Sequence, residues 1–226
     1  LYDNLGIVRP TADVLINDCE PILRPLYRAL TVDSHIVSEE IVEKAKAACK
    51  KIKDDVLTSK ILEQTDSSQS FTKVPLSWLH DDEEQTLCKG EADLIRVNHE
   101  KRVIRIVDIK TIGDLIYLFD KNFWKFRYDF QLSFYNFGLS RSTWYKENFD
   151  GYTILPPMIL AVDFRTPAPL FYQLKKKTLE LGEHGGMTDR GYEVKGWREA
   201  IDLEKFYSKH GYRYPKDVVL NKYIEI

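Results

Sequence analysis

From Arg102 to Lys110 apolar residues occupy both parities of the chain, Ile104 and Ile106 on one and Val107 and Ile109 on the other. A strand of that composition is buried on both faces, so the pattern predicts the centre of a sheet with helices packed around it. The preceding stretch, Cys88 to Val97, reads as its hairpin partner around Asn98-His99-Glu100-Lys101. Phe71 to Trp78 alternates well enough for a further strand, bounded by a polar loop over 64–70 and a charged turn over 80–85. If the four loop residues set the hairpin register, Val97 pairs with Arg102 and Asp93 falls opposite Ile106.

Helical patterns flank these strands. Ser38 is a good N-cap, Glu39 and Glu40 suit a first turn and lysines follow, so a helix is expected over about 39–53 with Ile41, Ala45, Cys49 and Ile52 as its apolar stripe. Pro10, Pro21 and Pro25 break the short apolar runs of residues 1–34 into irregular segments or broken helices. Gly113 to Phe119 reads as helix or loop. Arg127 to Leu139 reads as a helix on which Arg127, Gln131 and Tyr135 recur every fourth residue, with Phe130, Phe134 and Phe137 turned to the core. Residues 153–165 and 169–174 read as late strands, 182–191 as a polar glycine-rich loop, and Gly196 to Tyr207 as a last helix. The fold class expected is α/β, a mixed central sheet flanked by helices, in a single domain over 1–226.

Composition narrows the setting. At 226 residues with 43% hydrophobic content the chain can bury a sizeable core. A net charge of −2 restricts any nucleic-acid surface to a local patch. Cys19, Cys49 and Cys88 are scattered and odd in number, which argues against a disulfide framework or a zinc ribbon. No membrane span and no secretory signal are read, so a cytoplasmic protein is expected. The chain starts at Leu1, which leaves room for a missing natural N-terminal segment.

Candidate chemistry sits on the predicted hairpin. Asp93, Asp108 and Lys110 share one face in the predicted register, since diagonal neighbours lie about 7–8 Å apart. Two carboxylates can hold a divalent cation against a phosphate, and a nearby lysine can stabilise developing charge or orient the attacking water. Burying these groups is costly unless a metal and a polyanion pair with them, whereas an ordinary surface Asp-Lys pair would explain either half alone. Glu91 falls on the same face and reads as a ligand, an auxiliary base or a solvated edge residue. Lys121, Trp124, Lys125, Arg127 and Tyr128 interleave charge with aromatic rings and could either hold a nucleic-acid strand by phosphate contact and stacking or form a solvated helix start with Phe123 and Trp124 in the core. Lys175-Lys176-Lys177 reads as a solvated charge run.

The order of these features resembles a known family. Leu76-Ser77-Trp78, Cys88-x-Gly90-x-x-Asp93, Asp108-x-Lys110-Thr111 and Gln131-x-x-x-Tyr135 followed by Gly138 are similar to the PD-(D/E)XK nuclease superfamily. The likeness is to its RecB-like branch and, within that, to phage-type RecE-like exonucleases, over residues 38–175. The resemblance implies a restriction-endonuclease-like core and a nuclease dependent on Mg²⁺ or Mn²⁺, with one ion or two. It implies Asp93 and Asp108 as metal ligands with the Ile109 carbonyl, Lys110 as the catalytic lysine, and Gln131 and Tyr135 as residues that position substrate or brace the site. Many relatives add a histidine or glutamate from an upstream helix, for which His35, Glu39 and Glu40 are candidates. Some carry an acidic residue five positions before the tryptophan, where this chain has Lys73. The scattered cysteines disfavour the iron-sulfur branch, and no nucleotide-binding phosphate loop is present.

By the same resemblance the expected activity is DNA exonuclease action at duplex ends in phage-type recombination or repair, in a bacterial or phage-infected cell. Lys125 and Arg127 join Gln131 and Tyr135 as expected substrate contacts. Expected partners are DNA, a single-strand annealing protein and further copies of the chain in a ring-like oligomer. A restriction-like or structure-specific endonuclease and a catalytically silent DNA-binding module are the alternatives.

Overall fold

A computed structural model describes residues 38–112, 119–163 and 169–211. The irregular segment expected over 1–34, His35 and the stretch 113–118 lie outside the described residues. The chain divides into two compact units, Leu1–Ala47 and Ala48–Ile226. All predicted site residues on the hairpin and the Gln131 helix belong to the second.

Helix α1 spans Glu39–Asp54, with Ser38 accepting at its N-terminus from the Ile41 and Val42 amides. Its buried residues are Ala48 and Ile52, and Ile41, Ala45 and Cys49 are exposed. Of the predicted stripe only Ile52 is buried, and it pairs with Ala48 at i, i+4 in the second compact unit. Asp55 caps the short α2, Val56–Leu62, by accepting from the Leu57 and Thr58 amides.

Strands β1 (Ser68–Leu79), β2 (Leu87–Asn98) and β3 (Val103–Ile112) form an antiparallel meander. The chain then runs through α3 (Phe119–Lys125), α4 (Tyr128–Arg141) and α5 (Thr143–Phe149). It returns as β4 (Thr153–Ile154) and β5 (Met158–Asp163), both parallel to β3, and β6 (Leu170–Gln173) closes the edge antiparallel to β5. The sheet order is β1-β2-β3-β5-β6 with β4 also on β3. The fold is thus mixed α/β, a central mixed sheet flanked by helices. As its composition predicts, β3 lies at the centre.

One sheet face buries Leu76, Trp78, Ile95, Ile104 and Ile106 against Leu132 and Leu139 of α4 and Phe149 of α5. The other buries Leu94, Val107, Leu160 and Val162 against Ala48 and Ile52 of α1. On α4 the fully buried apolar side chains are Leu132 and Leu139, and Phe130, Phe134 and Phe137 are only partly covered.

The glycine-rich 182–191 region is not a plain loop. Helix α6 (Lys176–His184) runs into a hairpin of β7 (Gly185–Met187) and β8 (Glu193–Lys195), and α7 (Trp197–His210) follows. Gly182 is helical because α6 lies hard against α4: a Cβ there would stand 2.2 Å from the Asp129 carbonyl oxygen. Trp197 is wholly buried and donates its indole N–H to Ser133 Oγ at 3.2 Å, and Ser133 Oγ in turn donates to the Leu179 carbonyl at 2.8 Å. The α6–hairpin–α7 region is thereby fixed on α4.

Candidate active site

The hairpin register differs from the predicted one. Asn98 pairs with Val103 and Leu94 with Val107, so the four loop residues are 99–102. Arg102 takes a left-handed φ of 50°, and the Asn98 side-chain oxygen accepts from the Lys101 amide at 2.7 Å. The turn therefore absorbs Arg102 and keeps Asn98 in the strand. A shift of two in pairing preserves which residues share a face. The pairing ends at Leu94 with Val107, so Asp93 does not fall opposite Ile106, and it lies close enough to Asp108 for its charge to act on that carboxyl. There β3 has already taken β5 as its parallel neighbour, with Asp108 beside Ile159 and Lys110 beside Ala161.

Strands β1 and β2 are distorted at the same level. Phe71, Val74, Leu76 and Trp78 all reach one core, as do Ala92, Ile95 and Val97, so the inward alternation shifts by one near Lys73 and again near Asp93. No residue is inserted, since Thr72 pairs with Leu94 and Val74 with Ala92. Lys73 absorbs the change with a φ of 52°, a conformation costing a non-glycine residue roughly 1–3 kcal/mol. Its ammonium donates to Asp93 Oδ1 at 2.8 Å and lies 3.4 Å from Glu91 Oε1. That hydrogen bond to Asp93 holds Lys73 above the usual lysine range. The sequence carried no signal for this strained lysine beyond its replacement of an acidic residue.

Asp108 is 2% exposed. Burial pushes its carboxyl above the ordinary range, against the opposing pull of Lys110, and the negative charge of Asp93 adds to the rise. Lys110 Nζ lies 2.9 Å from Asp108 Oδ2 and pairs with it. The same ammonium donates to Gln131 Oε1 at 3.1 Å and sits 4.8 Å above the Tyr128 ring. Gln131 Nε2 donates to the Tyr135 hydroxyl at 3.4 Å. Tyr135 packs over Gly90, where a Cβ would stand 2.8 Å from its ring. Gly138 allows an equally close approach, since a Cβ there would fall 2.4 Å from the Trp78 ring. Each glycine lets α4 lie directly on the β1–β2 ribbon, which carries Gln131 and Tyr135 to Lys110.

The structure thus brings Asp108, Lys110, Gln131 and Tyr135 into one contact chain, with Asp93 within electrostatic reach of Asp108. Ile109, between Asp108 and Lys110, packs its side chain against the second core and has only its backbone carbonyl to offer a cation. Arg127 and Lys125 do not join the chain. Arg127 sits at the N-cap of α4 with a left-handed φ of 54° and not in the helix. Its guanidinium holds both carboxylate oxygens of the fully buried Asp129 at 3.0 Å and also donates to the Lys195 carbonyl. It therefore anchors α4 to β8. Lys125, at the end of α3, lies over the Phe126 ring at 5.3 Å. Glu40 on α1 is paired with Lys44 at 2.5 Å.

A hard divalent cation fits this donor set. Among the described residues no cluster of three or more His, Cys, Asp or Glu is disposed to hold a metal. An ion of the Mg²⁺ type takes one or two carboxylates and completes its shell with water and phosphate oxygens. Asp93, Asp108 and the Ile109 carbonyl supply only oxygen, and the buried Asp108 Oδ2 is ion-paired with Lys110. A positive group, Lys73, already rests on Asp93. Among the described residues no helix is long and apolar enough to cross a membrane. No protein-family model matches the chain, and no curated protein matches it.

Proposed function

We propose that the protein is a metal-dependent deoxyribonuclease of the PD-(D/E)XK kind, acting as an exonuclease on duplex DNA ends. The observation that carries this reading is the fork where β2 leaves β3. Two carboxylates from neighbouring strands lie within electrostatic reach of each other there, one of them buried and ion-paired with a lysine that Gln131 also holds. The divalent ion, Mg²⁺ or Mn²⁺, would supply Lewis-acid charge to a phosphodiester and a water of lowered pKa.

The chain's own groups supply the rest. Asp93 and Asp108 would hold the ion, and burial of Asp108 keeps competing water off that side of it. Lys110 presents a fixed positive charge where the phosphate gains negative charge, the preorganised arrangement that contributes most to such reactions. Gln131 and Tyr135 orient Lys110 by hydrogen bonding and are positioning residues. The preference for ends, the cytoplasmic setting, a single-strand annealing partner and a ring-like homo-oligomer follow from the family resemblance and belong to the same proposal. The endonuclease reading uses the same residues and differs only in the DNA it accepts.

End-labelled linear and closed circular duplex DNA, incubated with Mg²⁺ or Mn²⁺ beside EDTA and Lys110→Ala controls, tests the proposal. Loss of the linear form alone, abolished by EDTA and reduced by about 10²- to 10³-fold in Lys110→Ala, is the expected result. Cutting of circles would favour the endonuclease. Absence of cleavage in either metal, or cleavage unaffected by Lys110→Ala, would overturn the assignment.

A further inference from the structure

A concave groove of about 620 Å³ lies between α3 and the β7–β8 hairpin. Lys121, Trp124 and Lys125 line it from the helix, and Arg190, Tyr192 and Lys195 from the hairpin, with Glu193 its one carboxylate. A second groove of about 490 Å³ shares Trp124 and Arg190 and extends the surface toward Lys175 and Tyr172. The hairpin wall is built rigidly. Thr188, buried at the tip, donates its amide to the Tyr192 carbonyl at 2.8 Å and accepts from the Tyr192 amide at 3.0 Å. Arg190 is ion-paired with Asp120 of α3, tying the two walls together.

Two features lack an internal explanation. Tyr192 is 62% exposed, and among the described residues its ring has no aromatic or hydrogen-bonding partner. Among the same residues neither Lys121 nor Lys125 has an acidic partner, although the nearby cations Arg127, Arg190 and Lys195 are each paired with a carboxylate. An exposed aromatic ring on a fixed backbone opposite a tryptophan, with two uncompensated ammonium groups on the rim, suits a ligand with a flat apolar face and a polyanionic chain. Unstacked nucleotides have both, and stacking on aromatic side chains with backbone contact to lysines is how single strands are held. The volume is that of a small-ligand pocket, which suits separated nucleotides and not a duplex.

We propose that this groove binds a single-stranded DNA segment, with a base stacked on Tyr192 or Trp124 and phosphates on Lys121 and Lys125. The groove meets the candidate active site at the α3–α4 junction, where Arg127 lines the groove and the next residue, Tyr128, lies under Lys110. Its place as a track for the strand leaving or entering that site rests on the nuclease reading. The binding itself does not.

The test is fluorescence anisotropy of a short labelled oligothymidylate with the full chain in EDTA, where no metal-dependent cleavage occurs. Tyr192→Ala is expected to weaken binding by about 5- to 100-fold, the range for loss of one stacked base. The double variant Lys121→Ala with Lys125→Ala is expected to reduce the slope of log affinity against log salt by about 1.4, two contacts at about 0.7 each for a single strand. An abasic oligomer and polyglutamate should bind more weakly than oligothymidylate. Tyr192→Ala and the lysine variant, both at exposed positions, leave the fold intact by circular dichroism. Unchanged affinity and salt slope in these variants would overturn the groove, whether or not the protein cuts DNA. Equal binding of the abasic oligomer or of polyglutamate would overturn it as well. If metal-dependent cleavage is absent while these variants lose oligothymidylate binding, the nuclease reading falls and the groove stands.

Discussion

Replacing Asp108 by Asn should stabilise the metal-free protein and abolish its response to divalent cations. Asp108 is 2% exposed, burial pushes its carboxyl above the ordinary range despite the Lys110 ammonium 2.9 Å away, and Lys110 is 19% exposed and separately held by Gln131. Desolvating a buried charge can cost more than its ion pair returns, so removing that charge can be stabilising by about 1–4 kcal/mol. Asn keeps the shape and removes the charge. Part of the gain is offset because Lys110 loses its counter-ion, which solvent and the Gln131 oxygen cushion. A net gain of about 1 kcal/mol remains, worth about 2–4 °C in Tm for a chain of this length. The wild type, by contrast, should gain about 1.4 kcal/mol from Mn²⁺ at ten times its Kd, because the ion binds only the folded state. Thermal unfolding by circular dichroism in EDTA and in Mn²⁺, without DNA, reads both effects. A variant less stable than wild type in EDTA would refute the cost assigned to the buried carboxylate. An equal Mn²⁺ response in both proteins would show that the ion is held elsewhere.

Three further outcomes are expected. Gly182→Ala places a Cβ against the Asp129 carbonyl, which α4 cannot move, so destabilisation of about 1–3 kcal/mol is expected in a urea titration. Lys73→Ala frees Asp93 and Glu91 of their ammonium, and isothermal titration with Mn²⁺ should then show tighter binding than wild type; weaker binding would mean that Lys73 supports the site. At Asp82 burial favours the neutral form, but Lys205 and Thr86 outweigh it and hold the carboxyl far below its usual range. A folded-state pKa below the unfolded one gives stability that is present above the unfolded carboxylate range and lost as the pH falls through the folded value. Asp82→Asn should therefore be less stable than wild type at pH 7, with the gap closing in strong acid, as thermal melts across pH would show.

Much of this architecture was legible in the residues, and the reasons are local. The two-faced apolar run of β3 left no alternative to a central position, and Asp108 and Lys110, two apart on it, had to share a face. The spacing of Gln131 and Tyr135 put them on one side of any helix. The order Trp78, Gly90, Asp93, Asp108, Gln131, Gly138 was readable as a family resemblance. The glycines of that order acquire a cause in the fold, since Gly90 and Gly138 are the points where Tyr135 and Trp78 cross between α4 and the sheet.

Tertiary structure alone decided what depends on distant neighbours. The hairpin register turned on Arg102 entering a left-handed turn, which no propensity of arginine predicts, and the result paired Leu94 with Val107 next to the two carboxylates. The buried residues of α1 became Ala48 and Ile52, which pack with Leu94, Val107, Leu160 and Val162 from distant strands. Arg127 left its expected stripe because a buried carboxylate, Asp129, needed a partner, and charge burial outweighs helical periodicity. Gly182 looked like a loop residue and became a helix contact, because a glycine permits close approach as readily as it permits a turn. Sequence alone determined which groups could do chemistry, through residue type and spacing. Where those groups meet depended on long-range packing of α4 and the β7–β8 hairpin, whose contacts join residues far apart in the chain.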